Sequence, residues 1–299
     1  MIEVKSLVKK FGDTTALDGI SFTIGGGSVF GLVGSNGAGK STLLRTLAGV
    51  YRPDGGSVEV DGKAPFENSQ VKGRIFFISD YPYFFSQASM EELADFYSRI
   101  YPNWSRQKYQ EFCALFPLDR KGKIINMSKG MQRQVALIMA LSSQPDYLLL
   151  DEIFDGLDPV MRQLLKKIVS SEVSERGMSV VIASHNLREL EDLCDHVGLM
   201  HRGGVVFEQE LDALKLGVSR VQAILKPMPG PEAFHGLDVI KTEVRGSLIN
   251  LVIRGDRDEI LARLNALNPV FIEALPLTLE EVFISEMEVA GYDIDNILK

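Results

Sequence analysis

Apolar residues recur along this chain with two different periods, and the switching between them predicts its architecture. Alternating runs at 2–4 and 20–24 flank a turn at Gly12-Asp13, the pattern of an antiparallel hairpin. A continuous apolar run at 29–33 predicts a buried strand, and helical spacing follows over 42–48. Turn signals at Pro53-Asp54-Gly55-Gly56 and Asp61-Gly62 bracket a short alternating strand at 57–60. Residues 74–79 predict another buried strand. From 89 to about 143 the texture is helical, with Leu93, Phe96, Tyr97 and Ile100, then Val135, Ile138 and Met139, at three- and four-residue intervals. Continuous apolar runs at 147–150 and 179–183 predict two more buried strands, separated by a helix over 161–175. Buried strands alternating with helices imply an α/β fold, a mostly parallel sheet covered on both faces.

The texture changes near Gly217. The loop-like run Lys226-Pro227-Met228-Pro229-Gly230-Pro231 lies within a smaller unit that begins with a strand at 221–225. A hairpin of 239–244 with 248–253 turns at Gly246-Ser247, and a helix over 256–267, a strand at 270–274 and a helix over 279–287 follow. That order predicts a separate α+β domain. No internal repeat and no low-complexity tract is present.

Composition narrows the function classes. The chain has 299 residues, 45% of them hydrophobic, enough to bury a sizeable core in one large domain or two. Its net charge of −8 argues against a broad nucleic-acid-binding face, so no nucleic-acid partner is expected. Two cysteines, Cys113 and Cys194, stand far apart without metal-ligand spacing and read as reduced thiols of a cytosolic protein. No run approaches the ~20 apolar residues of a membrane span, and the first residues lack a signal-peptide layout. The expectation is a soluble protein whose membrane role, if it has one, comes through a partner.

The candidate chemistry begins right after the strand at 29–33. Gly34-Ser35-Asn36-Gly37-Ala38-Gly39-Lys40-Ser41-Thr42 has the form G-x-x-x-x-G-K-[ST] between a predicted strand and a predicted helix. Glycines let the backbone turn sharply, so that successive N–H groups point at phosphate oxygens, and the helix N-terminus adds its dipole. Lys40 is placed for the β- and γ-phosphates and Ser41 for Mg²⁺. A second signal is Asp151-Glu152 at the carboxyl end of the run 147–150, where open α/β sheets bind ligands. Asp151 fits a carboxylate that holds Mg²⁺ through its water shell, and Glu152 a base that accepts a proton from attacking water.

Further motifs in this order resemble the ATP-binding subunit of an ABC transporter, over residues 1 to about 216. Met127-Ser128-Lys129-Gly130-Met131-Gln132 stands where that family has L-S-G-G-Q, with Lys129 for a glycine and Met131 for the glutamine. Phe154-Asp155-Gly156-Leu157-Asp158-Pro159 matches the D-loop, and His185 matches the switch histidine. The resemblance implies a P-loop NTPase core of the ABC type: a mostly parallel sheet, an antiparallel β subdomain and a helical subdomain at about 86–144. A small accessory domain over 217–299 follows. It also implies ATP and Mg²⁺ as cofactors, and head-to-tail dimers. Ser128 and Gly130 of one chain would close over the γ-phosphate held by the other, with Asp158 coupling across the interface and His185 touching the γ-phosphate.

Phe11 lies where the family stacks an aromatic on adenine; an ordinary hairpin aromatic is the alternative. Asp80 replaces the usual glutamine that senses Mg²⁺ and the attacking water; it is shorter and charged, so the contact with the metal that its place implies would run through a water. The cluster Tyr81-Pro82-Tyr83-Phe84-Phe85 either packs inward or forms a patch that receives a membrane partner. The function implied is an ATPase, peripheral to the cytoplasmic membrane, that drives a separately encoded permease of the exporter type. The C-terminal unit would regulate, dimerise or brace that permease. The alternative is a soluble ABC ATPase acting in translation or DNA repair.

Overall fold

The computed structural model describes residues 1–289 apart from Met228 and Pro276; Met228 of the loop-like run and residues 290–299 of the expected accessory domain lie outside the described residues. Strands β1 (Ile2–Phe11) and β2 (Thr14–Ile24) form the hairpin, reversing at Gly12. Strand β3 (Val29–Val33) and helix α1 (Lys40–Leu47) flank the glycine-rich loop. Then β4 (Gly55–Val60) pairs antiparallel with β1 to give a three-stranded sheet in the order β2-β1-β4. The hairpin strands run longer than their sequence pattern shows, because bulges between Val4 and Lys10 break the alternation of β1. Gly56 belongs to β4 rather than to a free turn. A Cβ there would lie 2.2 Å from the Ser6 carbonyl oxygen, so only glycine lets the strand pass the bulge.

The chain continues through α2 (Ser69–Lys72), β5 (Ile75–Ile78), α3 (Met90–Ile100), α4 (Arg106–Leu115) and α5 (Lys129–Ser142). Next come β6 (Tyr147–Asp151), α6 (Pro159–Arg176), β7 (Ser179–Ser184), α7 (Leu187–Leu190), β8 (His196–His201) and β9 (Gly204–Glu210). These strands build a six-stranded sheet in the order β5-β6-β7-β3-β8-β9, parallel from β5 to β8. Every residue of β3, β6 and β7 is buried, as a sheet covered on both faces requires. Each enclosed Val, Leu or Phe side chain contributes roughly 1.5–3 kcal/mol.

Leu43, Leu44 and Leu47 of α1 join hairpin residues Ile2, Leu7, Leu17 and Ile24 in one core cluster with Leu149 and Val181. That cluster fixes the glycine-rich loop against the sheet. Strands β8 and β9 went unread in the sequence because Gly198 interrupts the apolar run. The ring of Phe30 fills that gap, 2.9 Å from where a Cβ would sit. The thiol of Cys194 lies equally close to Gly31 in β3, and burial pushes its pKa well up.

The first compact unit is Met1–Glu208 and the second begins at Gln209, eight residues before the expected 217. The shift has a local cause: α8 (Leu211–Leu216) packs on β10 (Val218–Ile224), with Leu211 and Leu214 buried. Strands β11 (Asp238–Arg245), β12 (Leu248–Arg254) and β13 (Phe271–Leu275) complete an antiparallel sheet in the order β11-β12-β10-β13. Helix α9 (Arg257–Asn265) contributes Ile260 and Leu264 to a core with Val221, Leu251 and Ile253. Helix α10 (Leu279–Val289) ends the described chain. Among the described residues no helix is long and apolar enough to cross a membrane.

Candidate functional site

The carboxyl ends of β3, β6 and β7 converge on one place, where an open parallel sheet presents its loops to ligands. A cleft of about 390 Å³ opens there, within the range of small-molecule sites, lined by residues 36–42 with Asp80 and Glu152. The glycine-rich loop earns its shape from two backbone positions. Gly37 and Gly39 have φ of 82° and 106°, and a Cβ on Gly39 would sit 2.6 Å from the Ala16 carbonyl oxygen. Gly34 is equally enclosed, with the Met200 carbonyl oxygen 2.4 Å from its absent Cβ. Gly39 then starts α1, and the Ala38 N–H donates to the Ser35 carbonyl (3.1 Å). Asn36 and Thr42 line the cleft alongside.

Lys40 is only 5% exposed. Its Nζ donates to the carbonyls of Gly34 (2.6 Å) and Ser35 (3.3 Å) and lies 3.4 Å from Glu152 Oε1. The ammonium is therefore held at the lip of the loop by acceptors that a phosphate can replace. Ser41 Oγ donates to Asp151 Oδ1 (3.0 Å). Asp151 Oδ2 is buried and has no hydrogen-bond partner among the described residues, and burial raises this carboxyl's pKa, with Glu152 and Asp80 adding to the rise. A buried carboxylate that keeps one free oxygen beside a hydroxyl is a seat for a cation.

Glu152 adopts the left-handed conformation (φ 48°), which turns the chain sharply out of β6 while its N–H donates to the Ala183 carbonyl (2.9 Å). Its Oε2 accepts from the backbone N–H of His185 (3.3 Å) and from His185 Nδ1 (3.0 Å). A carboxylate only accepts, so Nδ1 carries the proton and the exposed imidazole is left with Nε2 as its free atom. Lys40, Ser41, Asp151, Glu152 and His185 thus form one connected set. Side-chain donor atoms of Glu152, Asp155 and His185 also lie within 4.8 Å of one another.

The remaining expected residues are placed differently. Ser128 caps α5, its Oγ accepting from the Met131 N–H (3.2 Å), and its side chain is exposed. Gly130 is needed for packing: a Cβ there would be 2.8 Å from the Gly156 carbonyl oxygen. Asp158 caps α6 by accepting from the N–H groups of Val160 (2.9 Å) and Met161 (3.0 Å), with Pro159 in the first turn. Phe11 is not among the residues that line the cleft; its ring meets Tyr51 edge-on at 5.2 Å, under the Lys9 ammonium.

Asp80 lines the cleft, yet its Oδ1 accepts from Arg133 Nη2 of α5 (2.6 Å), a contact the sequence did not announce. Sequence reasoning also missed Thr14, Thr15, Ala16, Arg202 and Gly203 on the cleft's rim. A usable signal existed for the last two. Arg202-Gly203 is a two-residue turn with both φ positive, of the kind that joins hairpin strands. The Gly203 N–H donates to the Ala38 carbonyl (3.0 Å) and its carbonyl accepts from the Asp18 N–H (2.9 Å), so this turn ties the glycine-rich loop to β2.

The aromatic run resolves into two faces. Tyr81 and Tyr83 are 75% and 83% exposed, and Phe85 is also exposed, while Phe84 is half-buried. Pro82, Tyr83 and Phe84 line a second cleft with Tyr97 of α3 and Met139 of α5.

The ABC transporter family matches residues 17–155. The chain is 29% identical over 286 residues to the ABC transporter ATP-binding protein YtrB of Bacillus subtilis (strain 168), covering 96% of this chain and 98% of that one. It is 31% identical over 218 residues to the bacitracin transport ATP-binding protein BcrA of Bacillus licheniformis, covering 72% and 71%. A solved structure of an ATP-binding subunit of an ABC transporter superposes with a TM-score of 0.67 at 25% identity, over 72% of this chain and 92% of that one. The phosphate loop, the acidic end of β6 and the histidine after β7 stand together as the sequence order implied. The chain belongs to the ABC transporter ATP-binding proteins and is an ATP-binding, ATP-hydrolysing subunit of that family.

Proposed function

We propose that this subunit binds Mg²⁺·ATP in the cleft above β3 and β6, shares each nucleotide with a second ATP-binding subunit, and drives a membrane permease that exports its substrate. The observation that carries this reading is the connected set Lys40–Glu152–His185 beside the Ser41–Asp151 pair. The residues fit a hydrated Mg²⁺: Ser41 and Asp151 Oδ1 already touch, and the buried Oδ2 of Asp151 has a lone acceptor to offer. Ser41 and Asp151 would hold Mg²⁺ there, where its charge would offset that of the phosphates. Lys40 exchanges its loop carbonyls for phosphate oxygens. Glu152, held by the His185 Nδ1–H, accepts the proton of the attacking water. His185 keeps Nε2 for the γ-phosphate side.

Ser128 is exposed at the start of α5 and Lys129, Gly130 and Met131 follow it, which leaves a helix N-terminus able to face phosphate on a second subunit. The permease reading draws on the cleft between α3 and α5, which Tyr83 lines, and on the exposed rings of Tyr83 and Phe85, which meet edge-on. Similarity to a bacitracin transport ATP-binding protein and to a Nod factor export ATP-binding protein supports transport of a compound outward.

The decisive experiment is Glu152→Gln. It removes the base and keeps the shape, so ATP binding should persist and stabilise a dimer in size-exclusion chromatography, while hydrolysis falls by ~10²–10⁴-fold. Turnover within a few-fold of the parent would refute the assignment. For the permease, Tyr83→Ser with Phe85→Ser should abolish co-purification while leaving ATP binding intact; undiminished co-purification would place the partner elsewhere.

A further inference from the structure

Asp80 faces two ways. It lines the nucleotide cleft with Lys40, Ser41 and Glu152, and its Oδ1 is bound at 2.6 Å by Arg133 from α5. Arg133 is 8% exposed, and the same Nη2 also reaches the Asp80 carbonyl (3.2 Å). Among the described residues both hydrogen-bond acceptors of this guanidinium belong to Asp80. One turn earlier on the same helix face, Lys129 Nζ stands over the ring of Tyr81, 5.7 Å from its centroid. Two cations of the helix that carries Ser128 and Gly130 therefore grip the two residues that follow Ser79 beyond β5. Arg133 Nη1 also lies 3.1 Å from where a Cβ on Gly156 would sit, so the guanidinium borders the turn before α6.

We propose that Arg133 is a positioning residue that competes with Mg²⁺ for the Asp80 carboxylate, and that this competition couples nucleotide binding to the position of α5. The inference rests on the Mg²⁺·ATP reading above. A hydrated divalent cation in the cleft attracts every carboxylate that lines it, and Asp80 lines it together with Ser41 and Glu152. A cation that draws on the Asp80 carboxylate weakens its bond to Arg133, because two positive charges then share one negative charge. A buried guanidinium stripped of its carboxylate carries an uncompensated charge, so it must follow Asp80 or leave with its helix. A neutral side chain at position 80 would feel no such tug. The aspartate turns a hydrogen-bonding contact into an exchange between two cations, one fixed on α5 and one brought by the nucleotide.

The test uses the full chain and binding of a fluorescent, non-hydrolysable ATP analogue across a Mg²⁺ titration. Arg133→Gln frees Asp80 and should lower the Mg²⁺ concentration for half-maximal binding by about 5-fold or more. Asp80→Asn should raise it, and the double variant should match Asp80→Asn alone. Arg133→Lys keeps a cation and should stay near the parent value. In the nucleotide-free chain, Asp80→Asn and Arg133→Gln should lower the urea midpoint non-additively, because each breaks the same pair. Where Arg133→Gln does not fold, Arg133→Met keeps the buried stem, removes the cation and carries the comparison, with the same fall in the Mg²⁺ requirement expected. An unchanged Mg²⁺ requirement in the folded Arg133→Gln or Arg133→Met chain overturns the proposal, as does a double variant that behaves additively. Failure of the parent chain to bind the analogue in a Mg²⁺-dependent way would instead overturn the Mg²⁺·ATP reading.

Discussion

At the scale of single residues, the site leaves one of its carboxylates a bond short among the described residues. Asp151 uses one oxygen on Ser41 and keeps the other unpaired in a buried position, where a lone polar atom costs roughly 1–3 kcal/mol. Supplying a cation removes that cost, so Mg²⁺ with nucleotide should raise the melting temperature more than nucleotide with EDTA. Asp151→Asn should shrink that Mg²⁺-dependent increment, as differential scanning fluorimetry would report. Lys40 and the loop glycines were legible from spacing alone, since G-x-x-x-x-G-K-[ST] after an apolar run has few other readings. Glu152 was legible by position, but its left-handed backbone was not, because no local residue choice advertises it. Arg133 was invisible for a different reason: its partner Asp80 is 53 residues away, and single-sequence periodicity carries no information about such pairs.

At the scale of elements, strands with unbroken apolar runs were placed to within a residue or two, as β3, β6 and β7 illustrate. Those whose pattern is broken by bulges or by glycine, β1 and β8, were truncated or missed, because the compensating contact comes from another strand. One junction between elements makes a pH-dependent contribution. Asp61, at the turn after β4, is joined by Arg74 before β5 (2.7 Å) and by the hydroxyl of Tyr147 at the start of β6 (2.8 Å). Burial pushes the Asp61 carboxyl up, but hydrogen bonds from the chain's terminal amine, Tyr147 and Arg74 outweigh it and hold the pKa at about 2, against an ordinary 3.8. A depressed carboxyl stabilises the fold above its unfolded value and loses that contribution as pH falls from about 4 toward 2. Asp61→Asn should therefore lower the urea midpoint at pH 6, and the gap to the parent should close toward pH 2.

At the scale of the molecule, the two compact units each carry a core of their own. Leu251→Ala, at 0% exposure in β12, should cost ~2–5 kcal/mol of local stability, read by hydrogen exchange at β10 and β12. The nucleotide machinery lies entirely within the first unit, which the motif order made legible. The boundary at Gln209 was not, since α8 looks by composition like an extension of what precedes it.

The Cys194 thiol, wedged against Gly31 of the strand that leads into the phosphate loop, offers a clock for this machinery. Burial keeps it protonated and out of reach of alkylating reagents while the sheet is closed. With Cys113 replaced by serine, the rate at which Cys194 takes up a thiol label therefore counts openings of the sheet beneath the nucleotide. A ligand that clamps the loop should slow that count in proportion to the closed state it stabilises. The chain thus carries its own timer, readable by mass spectrometry without any added chromophore.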